Sequence, residues 1–62
     1  MNNTREWNSS ETPPEGAVVY VIAADHKGRY EIPFPVRFED DRWWNASTGQ
    51  ELDAFVAGWR PL

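Results

Sequence analysis

His26 stands beside Asp25, and acid–base or nucleophilic chemistry in this chain would have to begin at that pair. A general base needs a nucleophile within hydrogen-bond reach of its imidazole and a third group to orient it. The hydroxyls of Ser9, Ser10 and Ser47 have no spacing that brings them there, and Asp25-His26-Lys27-Gly28 reads as a solvated hairpin tip. One histidine with one neighbouring carboxylate supplies too few ligands for a metal, and the chain has no cysteine. Gly28, Gly49 and Gly58 are isolated, so they build no phosphate-cradling loop. The sequence therefore predicts no catalytic residue, no metal site, no cofactor and no enzyme.

Residues suited to recognition are easier to find. Trp44, with Arg37 and Pro35 near it on a hairpin, would form an outward aromatic and cationic patch. Tryptophan and arginine are the commonest anchors of protein interfaces. The competing reading is that Trp44 closes over the outer side of the first strand with Tyr20 and Ile22, as a second small cluster. Asp40 and Asp41, with Glu39, Glu51 and Asp53, could make an acidic lobe or simply a solvated turn. The candidate partner-binding residues are accordingly Trp44, Arg37, Asp40, Asp41 and Tyr20.

A net charge of −4 disfavours direct binding to nucleic acid, which requires a basic face. No apolar run approaches the ~20 residues of a membrane span. Met1-Asn2-Asn3-Thr4-Arg5-Glu6 lacks the basic-then-apolar layout of a signal peptide, so the expected address is cytoplasmic. At 62 residues without a disulfide, stability must come from tight aromatic packing or from a partner chain, and a homodimer suits so small a core. Four tryptophans make each ring a large share of that core.

The elements that position these residues are mostly strands. Residues 1–16 read as an irregular lead-in pinned by Trp7, and 17–62 as one small β domain. Residues 17–24 are continuously apolar and β-branched, as in a strand covered on both faces. Then Tyr30, Ile32, Phe34, Val36 and Phe38 alternate with Glu31, Pro33, Pro35, Arg37 and Glu39, the period of a half-buried strand. Pro33 and Pro35 remove two N–H groups from one side, so residues 30–35 should pair on one edge only. An even-length turn over 39–42 sets Phe38 opposite Trp43 and Arg37 opposite Trp44, which places Trp43 in the core and Trp44 outside. Thr48-Gly49-Gln50-Glu51 has capping-box spacing and predicts one short helical turn. Residues 55–60 follow as the last strand. The fold class is all-β, or β-rich α+β: an antiparallel meander of three or four strands. Its expected core is Val19, Val21, Ile32, Phe34, Phe38, Trp43 and Trp59.

Taken together, Trp7, Ser10-Glu11, Pro13-Pro14-Glu15-Gly16, the strand Val18-Val19-Tyr20-Val21, and the ending Gly58-Trp59-Arg60-Pro61-Leu62 resemble a family of short proteins encoded mainly by phages and prophages. Phe38, Asp40-Asp41, Trp43-Trp44, Gly49 and Leu52 match its middle loosely, so the resemblance covers nearly the whole chain. The family pattern has a histidine where Gly58 stands and a final proline after Leu62. The resemblance implies an accessory protein of a bacterial host's phage or prophage and carries no chemistry. The expected function is binding of a host or phage protein, inhibition of a host defence complex being one concrete form. The alternatives are a small peptide- or ligand-binding module using a cleft between Trp44 and Tyr20, and a structural subunit of a homo-oligomer.

Overall fold

A computed structural model describes residues 7–62 as five antiparallel strands in one open sheet. The first six residues of the expected lead-in lie outside the described residues. The strands are β1 (Val18–Asp25), β2 (Gly28–Glu31), β3 (Val36–Glu39), β4 (Arg42–Asn45) and β5 (Phe55–Pro61). β1 is the centre: β5 pairs along one edge, while β2 and β3 share the other, with β4 beyond β3. The small antiparallel β fold expected from the sequence is thus present, with five strands. Among the described residues no helix is long and apolar enough to cross a membrane.

β1 folds as a strand because its run of valines, isoleucine and alanines favours extended backbone and can be covered on both sides. Its inward residues Val19, Val21 and Ala23 are buried, and Ile22 on the other face is also nearly closed off. Tyr20, on that same outer face, stays 43% exposed, so coverage of the second face is incomplete. The loop to β2 is only His26-Lys27, since Asp25 pairs with Gly28. Asp25 Oδ1 accepts the Lys27 N–H at 2.8 Å, and Gly28 takes a φ of 133° that a side chain would resist.

The alternating segment after Gly28 is two strands rather than one. Ile32 N–H still bonds the Val21 carbonyl at 3.0 Å, and pairing resumes with Val36 opposite Val19. Between them Pro33 and Pro35 supply no donors, and the ladder stops. β2 pairs with β1 alone, and the proline-bearing segment lies between β2 and β3, where the Pro35 carbonyl accepts the Ala46 N–H at 2.9 Å.

The β3–β4 hairpin has the register expected: Phe38 opposite Trp43 and Arg37 opposite Trp44. The Phe38 and Trp43 rings meet at 4.8 Å with a tilt of 59°, a contact worth about 0.5–1.5 kcal/mol beyond burial. The connecting residues Asp40 and Asp41 have φ of 58° and 64°. This is the type I′ arrangement, whose twist suits a hairpin but which normally employs Asn-Gly.

The helical turn expected at 48–51 is absent. Asn45 pre-empts it, because its Oδ1 accepts the N–H groups of Ser47 and Thr48 at 2.8 and 3.2 Å. Gly49 at φ 82° then reverses the chain, and Gln50 and Leu52 bond the free edge of β4 through Asn45 and Trp43. From there the chain crosses to β5, which pairs with β1 through a bulge opposite Ile22 and Ala23.

The buried core comprises Val19, Val21, Ala23, Ile32 and Val36, with Phe38 and Ile22 also closed off. Phe34, Trp43 and Trp59 are half-buried against it instead of lying fully inside. Trp59 Nε1 reaches the Glu11 carbonyl at 2.8 Å, which explains why that ring stops at the margin.

Candidate interaction surface

Side chains alternate along a strand, so the face opposite the core can be assembled from the register. Val18 lies opposite Arg37 and Arg37 opposite Trp44, while Trp44 forms an isolated bridge to Glu51. These four make one row across the outer face. Trp44 is half-buried, and its Nε1 donates to the Glu39 carbonyl at 2.9 Å, which holds the indole against its own hairpin. Neither Trp43 nor Trp44 is fully buried or fully exposed, but only Trp43 packs on the core.

The hairpin turn brings the two aspartates next to that row. Glu15 Oε2 accepts the Asp40 N–H at 3.1 Å, so Glu15, Asp40 and Asp41 gather carboxylates at the tip. Arg42 meets Glu51 at 3.7 Å with both side chains at least half exposed, a pair worth little in water. The structure therefore brings Trp44, Arg37, Asp40 and Asp41 to one end of the sheet.

Tyr20 belongs elsewhere. It is two strands and two residues removed from Trp44, on the order of 12 Å between Cα atoms by strand spacing. Its partner across the sheet is Arg60, and the arginine Cζ lies 5.9 Å from the tyrosine ring and 4.5 Å from the Trp7 ring. The cleft beside Tyr20 is lined by Trp7, Arg60, Glu31 and Pro33, without Trp44, and holds about 320 Å³.

Trp7 reaches this position because the segment before β1 is tied to β5. Asn8 and Trp59 exchange both backbone hydrogen bonds, at 2.8 and 3.0 Å. Asn8 Oδ1 then accepts the N–H groups of Ser10 and Glu11 and turns the chain off the strand edge. A second cleft, of about 290 Å³, opens between this turn and residues 56–59, with Trp43 in its lining. The close approach needs Gly58: a Cβ there would stand 2.8 Å from the Trp7 Cβ and 3.2 Å from the Asn8 carbonyl. A larger side chain there would displace that segment.

Sequence reasoning singles out Tyr20 but sets it beside Trp44, and it does not single out Arg60, which the structure places against Tyr20 and Trp7. The signal was present in principle, since Tyr20 and Arg60 sit in two strands that could pair, but the register required the bulge. At the other extreme, His26 is exposed at its hairpin tip, and the Asp25 carboxylate serves the turn. Among the described residues, no three His, Cys, Asp or Glu side chains are placed to hold a metal ion.

Comparison with protein families, curated proteins and solved structures finds no match.

Proposed function

We propose that this chain is a non-enzymatic interaction module that binds another protein through the outer face of its sheet. The observation that carries the reading is the composition of that face: Trp7, Tyr20 and Trp44 with Arg37 and Arg60, arranged by the pairing of β1 with β3 and β5 and of β3 with β4. Large aromatic rings and arginines are the residues that most often dominate binding energy. The resemblance to phage and prophage proteins adds the context of a bacterial cytoplasm and a host or phage protein as partner. Inhibition of a host defence complex is the concrete form this would take.

The test is capture from bacterial lysate with tagged wild type and Trp44→Ala as baits, read by mass spectrometry. One stoichiometric protein held by the wild type and lost by the variant is the expected outcome. Identical lanes from both baits would contradict the assignment of this face.

A further inference from the structure

The cleft beside Tyr20 is built around one guanidinium. Arg60 projects from β5 opposite Tyr20, with its Cζ 4.5 Å from the Trp7 centroid and 5.9 Å from that of Tyr20. Both rings lie within cation–π reach of the guanidinium, which carries five N–H donors in a fixed fork. Among the described residues that fork has no acceptor: the ion pair present is Arg42 with Glu51, and no side-chain hydrogen bond involves Arg60. Glu31 lines the same cleft without coming to ion-pair distance. Arg60 is half-buried, so its donors are partly withdrawn from water.

A guanidinium held beside two aromatic rings offers a planar fork suited to two parallel hydrogen bonds to a carboxylate. The volume of about 320 Å³ is at the small end for ligand sites and accommodates one side chain with a neighbouring residue. Val21, Ile32 and Pro33 give the cleft an apolar floor and wall. Glu31 beside it, and the net charge of −4, oppose a polyanion such as nucleic acid. We propose that this cleft receives a single aspartate or glutamate side chain of the partner protein, held bidentately by Arg60, with an adjoining apolar residue of the partner against Trp7 and Pro33. This rests on the protein-binding reading and gives it a site and a ligand chemistry.

The experiment is an NMR titration of the whole chain, reading the Arg60 Nε–H and the Trp7 indole N–H. The probes are N-acetyl-glutamate methylamide and its glutamine counterpart. Saturable shifts of both signals with the glutamate probe, and at least ten-fold weaker binding of the glutamine probe, are expected. Arg60→Lys keeps the charge and loses the fork, so it should weaken glutamate binding ten-fold or more, while Arg29→Lys leaves it unchanged. Equal responses to the two probes, no response to either, or shifts centred on Trp44 would overturn the proposal. So would tighter binding of a ten-nucleotide thymidine strand. Any of these would leave capture of a partner through Trp44 intact, so the site can fail without the wider reading failing.

Discussion

Gly58→Ala is the smallest change that tests how the chain before β1 is held. The added Cβ would meet the Trp7 Cβ at 2.8 Å and the Asn8 carbonyl oxygen at 3.2 Å, with Ile22 Cγ2 behind at 3.5 Å. Ordinary carbon contacts begin near 3.5–4.0 Å, so the segment must withdraw by about 1 Å. The obstruction consists of backbone and a Cβ, neither of which can rotate aside. Overpacking of this kind costs ~1–3 kcal/mol. Complete release would instead forfeit the two Asn8–Trp59 hydrogen bonds, about 1 kcal/mol each, and the Arg60–Trp7 contact, about 1 kcal/mol. Both routes give a similar cost. Gly58 does not use a positive φ, so alanine also gains about 0.4–1 kcal/mol by restricting the unfolded chain. The net expectation is a loss of ~1–2 kcal/mol, which lowers the thermal midpoint of a domain this size by roughly 5–15 °C. Calorimetry measures the midpoint, and hydrogen exchange reports the Asn8 and Trp59 amides, which should lose protection first. A variant with the wild-type midpoint and both amides still protected would refute the docking of Trp7 and Asn8.

Two further substitutions probe the rest of the fold. Asp41→Gly relieves a φ of 64° that a side chain tolerates poorly, and should raise stability by about 1 kcal/mol in urea unfolding; an unchanged or lowered midpoint would count against strain at that turn. Trp59→Ala removes a ring packed on the core and its bond to Glu11, at a cost of about 3 kcal/mol. A domain of 62 residues has only ~3–9 kcal/mol in total, so tryptophan fluorescence should show partial or complete unfolding at room temperature, whereas a cooperative transition near the wild-type midpoint would contradict that role.

Local pattern carried much of this architecture, and long-range complementarity the remainder. The register of Phe38 with Trp43 follows from alternation and an even loop, both visible within a dozen residues. The run 17–24 announces a strand by composition, although the exposure of Tyr20 depends on what happens to cover it. Pro33 and Pro35 mark a break in the ladder because a missing donor is a property of the residue itself. The helical turn failed because Thr48 and Glu51 have the right spacing, yet the Asn45 side chain, outside that motif, takes the Thr48 N–H and turns the chain. Positive φ at Asp40 and Asp41 is imposed by hairpin twist, and aspartate is among the few side chains that tolerate it. The Trp7, Tyr20 and Arg60 cluster was illegible because it joins three segments through a bulged register and a glycine that only the approaching backbone explains.

If the Trp44 end of the outer face serves a partner, the Trp44 ring is not needed to hold the fold. The most direct test measures unfolding and lysate capture on the same Trp44→Ala preparation. A stability within about 1 kcal/mol of wild type is expected, because Trp44 lies outside the core cluster, together with loss of one stoichiometric partner. Collapse of the midpoint would make Trp44 a structural residue, and full retention of the partner would place the interface elsewhere.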